Sequence, residues 1–293
     1  MSNSRPKVLG VYTPVINAGA KIIPVKGHER RLKSLLYAAA SKGFSVISIP
    51  NLSASREIIK AINPDIIISD LYSDAITRPD SFCVVIHDDV HFASDDQNAD
   101  LYVFPSGGEA PPHLLTKSLT GIMAPSTLKE NQRGTWSFSK SEGVLFVERG
   151  DRGKFWGLMN RYKEEASDLG YPVTIIERDK PLPQQLLIEK MLGACAVFTT
   201  ASTTAKESIF LGVPTIVVEA GPDQKELARI MAQTGLAYRA GNPRLVELAA
   251  SGMLSRPLPG PAGSIMTTEE LFALINLEYL EAVSRKRKPK YEC

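Results

Sequence analysis

Two α/β domains, each built on a parallel β-sheet, form the fold class that the sequence predicts. Short β-branched runs alternate with helical patterns in both halves of the chain, and the connections between them are short. This alternation is typical of parallel sheets with helices on both faces. The length of 293 residues is long for one compact domain and comfortable for two.

Five strands are expected in the first half, over residues 8–13, 45–49, 66–70, 84–89 and 101–105. Apolar residues at helical spacing predict a helix after the first of them: Leu32, Leu35, Leu36 and Ala39, with Gly43 at its end. A second helix is predicted over residues 56–62. The stretch over residues 14–27 is rich in Gly, Ala and Pro and reads as a loop.

The pattern weakens over residues 106–142, which are rich in Gly, Pro, Ser and Thr, and restarts with a strand over 144–147. We therefore expect a domain boundary near residue 140, with domains over 1–140 and 141–293. Further strands are expected over residues 173–176, 196–200 and 215–219 and near Ala237. Further helices are expected over residues 153–169, 184–193, 224–235, 243–252 and 267–285.

Composition and charge restrict the partners and the location that we expect. The formal net charge of +2 gives no general affinity for nucleic acid. No run approaches the roughly 18 apolar residues of a membrane span, and the N-terminus lacks a signal-peptide core, so we expect a cytoplasmic protein without a transmembrane segment. Cys83, Cys195 and Cys293 lack metal-site spacing and predict reduced thiols. The basic run over residues 285–290 predicts a solvated tail, with contact to a membrane surface or a polyanion as the alternative.

The segment over residues 198–224 carries most of the functional information. It reads FTTASTTAKESIFLGVPTIVVEAGPDQ and predicts a strand, a hydroxyl-rich turn, a short helix, a second strand and a second turn. Ser202, Thr203 and Thr204 are favourable N-cap residues, and Glu207 is expected in the first helical turn.

The two turns of this segment predict a ligand site. Gly212 suits the C′ position of the short helix, and Pro214 blocks its continuation. The Gly-Pro-Asp turn over residues 221–223 leads into a helix that begins near Gln224. Helix N-termini with small hydroxyl residues bind anions, and two of them at the carboxyl ends of parallel strands form the usual ligand position of an open α/β sheet.

These residues resemble the donor-binding region of nucleotide-sugar enzymes with the two-domain GT-B fold. The similarity is to the peptidoglycan lipid-intermediate N-acetylglucosaminyltransferase and to the UDP-sugar hydrolase of pseudaminic acid synthesis. In those families a small-residue S/G-x-T-x-x-E turn holds the diphosphate and ribose, and residues 202–207 (STTAKE) are similar to it. The resemblance implies two Rossmann-like domains that face a cleft, with the last helix returning to the first domain.

By this resemblance, Ser202, Thr203 and Thr204 face the phosphates, and Glu207 accepts hydrogen bonds from the ribose. The second turn would reach the sugar through residues Gly221, Asp223 and Gln224. The alternative is a capped helix with a solvated glutamate.

The first half carries a candidate general base. Residues 27–31 read GHERR at the start of the first helix and resemble the G-T-G-H-x-x-R loop of the hydrolase. The resemblance implies that His28 is catalytic and that Gly27 and Arg30 bind substrate. Independently, the dipole at a helix N-terminus disfavours the charged form of a histidine, and a neutral imidazole is what a general base needs. The alternative is a histidine that only caps the helix or packs against it.

Acidic residues follow two strands of the first half at one predicted sheet edge. Asp70 and Tyr72 resemble a D-x-Y segment of the hydrolase, which implies contact with substrate. Asp88 and Asp89 resemble its D-D segment, which implies that they orient His28 or bind a sugar hydroxyl. Turn residues that cap the next segment are the alternative, with equal support.

A metal site is an alternative for the same region. Its ligands would come from an oxygen-rich set that suits magnesium or manganese: His87, Asp88, Asp89, His91, Asp95 and Asp96. The D-x-D transferases that use such a site do not carry the segment over residues 198–224. We therefore predict a site without a metal and without a cofactor.

The resemblance thus implies an inverting, metal-independent glycosyltransferase with a UDP-sugar donor, in which His28 deprotonates an acceptor hydroxyl. A UDP-sugar hydrolase that uses water and a non-catalytic nucleotide-sugar-binding subunit are the alternatives. The glycine- and Asp-containing turn of the hydrolase appears here only as residues 148–153 (ERGDRG), which favours transfer.

Overall fold

The chain forms two compact units in the computed structural model, each built around one parallel sheet. The structure describes residues 5–12, 15–18, 21–24, 26–50, 55–70, 80–87, 99–105, 118–120, 122–124, 128, 143–148, 154–177, 180–219, 222–233, 237–241 and 265–287.

The first unit contains a six-stranded sheet with the order β4-β1-β5-β6-β7-β8, and all neighbouring strands in it are parallel. Its elements are β1 (Lys7–Tyr12), β2 (Val15–Ala18), β3 (Lys21–Pro24), α1 (Lys26–Ser41), β4 (Ser45–Pro50), α2 (Ser55–Ile62), β5 (Ile66–Asp70), β6 (Phe82–Ile86), β7 (Leu101–Phe104), β8 (Ser118–Thr120) and β9 (Ile122–Ala124).

The second unit contains a five-stranded parallel sheet with the order β11-β10-β12-β13-β14. Its elements are β10 (Val144–Val147), α3 (Lys154–Asp168), β11 (Val173–Ile176), α4 (Gln184–Leu192), β12 (Ala196–Thr200), α5 (Thr203–Phe210), β13 (Thr215–Val218), α6 (Pro222–Gln233) and β14 (Tyr238–Arg239). Two elements follow, β15 (Ile265–Thr267), which pairs with β9, and α7 (Thr268–Arg287).

Helix α1 covers one face of the first sheet and contributes to the core of this unit. The apolar stripe of this helix is buried as its spacing predicts: Leu32, Leu35, Leu36 and Ala39. Gly43 ends the helix with φ +87°, a left-handed conformation that glycine adopts without a steric cost. Helix α7 joins the same core, where the ring of Phe272 meets the ring of Phe44 edge-on at 5.2 Å.

The core of the second unit lies between the sheet and α3. Phe146 of β10 and Phe198 of β12 stack with ring centroids 4.7 Å apart, and Tyr162 of α3 packs on Phe198 at 5.0 Å. All three side chains are fully buried. The continuous apolar runs of β10 and β12 are therefore strands covered on both faces, as their composition predicts.

Two segments differ from the expected pattern. Residues 14–27 contain the antiparallel hairpin β2–β3 instead of a loop only. The expected linker over residues 106–142 supplies β8, which extends the first sheet, and β9, which pairs with β15. Whether a segment of three or four residues forms a strand depends on its neighbours in the sheet, so its own composition is a poor predictor. The helix expected over residues 243–252 lies outside the described residues.

The predicted fold class is confirmed, since both units are α/β with parallel sheets. No helix within the described ranges is long and apolar enough to span a bilayer.

Candidate functional site

Both sheets reverse their strand order at the first strand of the unit. In the second unit β10 lies between β11 and β12, and in the first unit β1 lies between β4 and β5. Connections leave to opposite sides at such a point, so a crevice opens at the carboxyl ends of the two central strands. The candidate site residues can be placed relative to these two crevices.

The turn between β12 and α5 lies at the crevice of the second unit. Ser202 occupies the N-cap position with extended backbone angles, φ −142° and ψ −177°, but its side chain makes no capping hydrogen bond. Its Oγ is buried and has no hydrogen-bond partner within the described part of the chain. The start of α5 therefore keeps backbone N–H groups that this hydroxyl does not satisfy.

Two further hydroxyl groups at the end of β12 lack partners. Thr199 and Thr200 are fully buried, and neither Oγ1 has a hydrogen-bond partner among the described residues. A buried hydroxyl left unsatisfied costs about 1–3 kcal/mol, so native structures rarely keep several together without a reason. The two side chains face opposite sides of the sheet because side chains alternate along a strand. Thr200 shares the face of Phe198, which packs against α3.

Helix α5 carries the remaining residues of the predicted donor motif. Thr204 and Glu207 are buried, whereas Thr203 is exposed. The Glu207 carboxylate accepts a hydrogen bond of 3.4 Å from the side-chain amide of Gln184, the first residue of α4. The expectation that Glu207 lies in the first helical turn is wrong, because α5 begins at Thr203 and its first turn contains no acidic residue.

Helix α6 begins beside the end of β13 and carries the second predicted turn. It starts at Pro222, two residues before the expected position, since proline at the first helical position needs no backbone N–H partner. Gln224 is partly buried, and its Oε1 has no partner among the residues that the structure describes. Asp223 is the second residue of α6. Its side chain lies outside the described part of the structure. Gly221 lies outside the described residues.

A buried ion pair lies at the other side of the same crevice. Glu148 is the first residue after β10, and its Oε1 lies 2.8 Å from Nζ of Lys163 on α3. Both side chains are largely buried, at 7% and 15% exposure. The Lys163 ammonium also lies 5.2 Å from the ring centroid of Trp156. No local pattern in the sequence singles out Lys163, because only the packing of α3 on the sheet brings it to Glu148.

The crevice of the first unit contains Asp70 and Arg31. The Asp70 carboxylate at the end of β5 is fully buried and accepts two hydrogen bonds from the guanidinium of Arg31 on α1. Arg30, the residue predicted to bind substrate, is exposed. The G-H-x-x-R spacing identifies Arg31 as the matching arginine, and this signal was available in the sequence.

His28 is the third residue of α1, and Gly27 is the second. His28 precedes Arg31 by three residues, so the two positions share one face of the helix. The structure thus brings the His28 position, Arg31 and Asp70 to one end of the first sheet. Three other predicted site residues lie outside the described ranges: Tyr72, Asp88 and Asp89.

His87 is the described member of the alternative metal set. It is buried, and its ring stacks with those of Tyr102 and Phe104, each at 5.8 Å between centroids. It follows β6 on the face of Val85, opposite the face that carries Ile86 and α1. Within the described residues no group of three or more His, Cys, Asp or Glu side chains is placed to hold a metal ion.

Comparisons by sequence and by fold give different results. The sequence matches no protein-family model and no curated protein. The fold is similar to the glycosyltransferase of kitacinnamycin, with 12% identity, coverage of 94% of this chain and 100% of that chain, and a TM-score of 0.57.

Two other solved structures are similar to the same extent. The glycosyltransferase SsfS6 of Streptomyces sp. SF2575, complexed with thymidine diphosphate, gives 12% identity, coverage of 93% and 100%, and a TM-score of 0.53. A putative UDP-N-acetylglucosamine 2-epimerase from Listeria monocytogenes gives 12% identity, coverage of 95% and 98%, and a TM-score of 0.55. At these identities the likeness shows the shared GT-B type of fold.

Proposed function

We propose that this chain is an inverting, metal-independent glycosyltransferase that takes a nucleotide-sugar donor in its second unit. The observation that carries the proposal is the set of buried hydroxyl groups without partners at the carboxyl end of β12. Thr199, Thr200 and Ser202 lie at the strand-to-helix turn where an open α/β sheet binds its ligand. A diphosphate would accept hydrogen bonds from hydroxyl and backbone donors at this turn.

The start of α5 supports an anionic ligand at the same place. Its first backbone N–H groups receive no bond from the Ser202 side chain, and the helix dipole favours negative charge there. Ser202, Thr203 and Thr204 would therefore hold the diphosphate, and these donors would stabilise it as it leaves. The fold that the chain shares with a thymidine-diphosphate-bound glycosyltransferase is consistent with this arrangement.

The other donor contacts extend along α5 and α6. Glu207 would accept hydrogen bonds from the ribose hydroxyls, with its carboxylate oriented by Gln184. Gln224, whose Oε1 is buried without a described partner, would bind the sugar together with Asp223 and Gly221. We expect the nucleotide to be uridine-linked, and a thymidine-linked donor is the first alternative to test.

The first unit would supply the acceptor side. His28 would take the proton of the acceptor hydroxyl as its oxygen forms a bond to the anomeric carbon. The bond from that carbon to the diphosphate oxygen breaks in the same displacement, so the sugar inverts. Substrate contacts and orientation of His28 are assigned to the remaining predicted residues, which are Gly27, Arg30, Asp70, Tyr72, Asp88 and Asp89. Arg31, which matches the G-H-x-x-R spacing, is the alternative to Arg30.

Hydrolysis of the same donor is the second candidate. It is favoured by the G-H-x-x-R spacing at the start of α1, in which Arg31 is fixed by the buried Asp70. Water would then replace the acceptor hydroxyl, while the donor contacts of the second unit would stay the same.

A binding measurement followed by a donor screen tests the proposal. Purified protein treated with EDTA should bind UDP or TDP in calorimetry, and a cocrystal should place the diphosphate at the start of α5. Radiolabelled donors should then show which sugar is released or transferred. Abolished activity that magnesium or manganese restores would contradict metal independence, and binding of neither nucleotide would contradict the donor site.

A further inference from the structure

We propose that Lys163 is a further donor-binding residue, whose ammonium group is held at the carboxyl edge of the second sheet to contact the diphosphate. This inference rests on the proposed function and adds a contact to the same site. The other proposed donor-binding residues of the second unit lie at the end of β12 and on α5 and α6, whereas Lys163 lies on α3.

The position of the Lys163 ammonium is fixed by two contacts. Nζ lies 2.8 Å from Oε1 of Glu148 and 5.2 Å from the centroid of the Trp156 ring. Side chains of a helix lean toward its N-terminus, and α3 follows β10, so its N-terminus lies at the carboxyl edge of the sheet. The lysine therefore extends from the body of α3 toward the edge where ligands bind.

Thr200 lies at the same end and on the same face of the second sheet as this ion pair. Val144 lies opposite Ala196, and Phe146 lies opposite Phe198. The pairing ends there, and Glu148 and Thr200 each lie two residues farther along their chain segments. Because side chains alternate along a strand, both positions belong to the face that packs against α3. A buried hydroxyl without a described partner thus lies at the same end and on the same face of the sheet as a buried ammonium–carboxylate pair.

A purely structural role explains this arrangement poorly. A buried ion pair contributes little net stability, and apolar side chains of similar volume would pack as well. An ammonium group has three N–H donors, and Glu148 accepts from one of them. A donor diphosphate needs compensating positive charge, and a fixed lysine supplies it without a metal ion. Because the Glu148 carboxylate partly offsets this charge, it should weaken the attraction for phosphate.

Because the two side chains have opposite charges, removing each charge should affect nucleotide affinity differently. Calorimetry with UDP and TDP should show about 10- to 100-fold weaker binding for Lys163→Met, the range for losing a charge-assisted hydrogen bond. Glu148→Gln should bind either nucleotide as tightly as wild type or more tightly. Uridine and thymidine, which lack phosphate, should bind all variants equally. Lys180→Met, at a lysine with 79% exposure, is the matched control.

A fourth variant guards against misfolding. Lys163→Met leaves Glu148 buried without its cation, so the double variant Glu148→Gln/Lys163→Met removes both charges while keeping the volumes similar. It should unfold near the wild-type temperature and still bind UDP and TDP more weakly than Glu148→Gln alone.

Four results would overturn the inference. Equal losses of affinity in Lys163→Met and Glu148→Gln would show that the pair is only structural, and so would losses that extend to the nucleosides. Unchanged affinity for UDP and TDP in Lys163→Met would remove the lysine from the site while leaving the proposed function intact. A wild-type protein that binds neither nucleotide would overturn the proposed function and this inference with it.

Discussion

Asp70 and Arg31, which are 39 residues apart in the chain, form a bidentate ion pair at the carboxyl edge of the first sheet. Nε donates to Oδ2 at 2.8 Å, and Nη2 donates to Oδ1 at 2.5 Å. The carboxylate is fully buried, and the guanidinium is 10% exposed. This pair ties the first turns of α1, including the position of His28, to the end of β5.

Removal of the Asp70 charge should destabilise the first unit. Asp70→Asn keeps the shape of the side chain but removes the carboxylate charge that accepts both hydrogen bonds from the Arg31 guanidinium, and breaking a buried ion pair in this way costs about 3 kcal/mol or more. Urea denaturation should show this loss in the free energy of unfolding. Glu57→Gln is the control, because its pair with Lys60 is exposed at both ends and should contribute under about 1 kcal/mol. Equal effects of the two substitutions would contradict the role of the buried pair.

Gly10 allows α1 to pack closely on β1. A Cβ at this position would lie 2.8 Å from Cδ1 of Leu36 and 2.9 Å from Cδ2 of Leu32, and both leucines are buried. We expect Gly10→Ala to lower the free energy of unfolding by about 1–3 kcal/mol through overpacking. Gly157→Ala on α3 meets no atom within 4 Å and should stabilise the helix by about 0.5–1 kcal/mol. Urea denaturation of both variants checks the difference in sign.

The sequence predicted the buried strands of both units well. The expected bounds of the strands over residues 66–70, 144–147, 173–176 and 196–200 agree with the structure. Each is a short run rich in β-branched residues between turn signals, so local composition is enough to define it. The hairpin β2–β3 was missed because its strands lie in a stretch of Gly, Ala and Pro that reads as a loop.

Contacts between distant residues could not be predicted in the same way. The position of Asp70 at a strand end follows from the sequence, but its pairing with Arg31 depends on how α1 lies across the sheet. The same holds for Lys163 and Glu148, which α3 brings together. The hydroxyls of Thr199 and Thr200 could be located on β12, yet their lack of partners is a property of the folded chain.

His28 should be essential for turnover and unimportant for nucleotide binding. As the proposed base, it acts on the nucleophile, so His28→Ala should lower the turnover number by about 10²- to 10⁴-fold. Affinity for UDP, measured by calorimetry, should stay close to that of wild type. Unchanged turnover would show that His28 is not the base. Lys33→Ala on the same helix is the control for effects of an alanine substitution on the stability of α1.

Glu207 should contribute to nucleotide affinity through the ribose. Glu207→Gln keeps the side-chain volume in a buried position but removes the carboxylate that would accept bonds from ribose hydroxyls. We expect UDP binding to weaken by about 1.5–3 kcal/mol, the range for hydrogen bonds to charged groups. Glu189→Gln on α4 is exposed and should have no effect. Equal affinities for Glu207→Gln and wild type in calorimetry would contradict the assignment.

Transfer and hydrolysis differ in how the protein must treat water. A transferase keeps water from the anomeric carbon until the acceptor is bound, whereas a hydrolase always has its nucleophile present. We therefore expect slow release of nucleoside diphosphate from donor alone, well below the median turnover of about 10 s⁻¹ for enzymes. Addition of the correct acceptor should accelerate the release.

The measurement is donor turnover with and without candidate acceptors, followed by proton NMR of the fresh product to read its anomeric configuration. Fast release of a free, inverted sugar without an acceptor would establish the hydrolase instead. Release in neither condition, with a donor that calorimetry shows to bind, would leave a non-catalytic binding subunit as the explanation. His28→Ala serves as the matched control throughout, because a release rate that survives this substitution cannot depend on the proposed base.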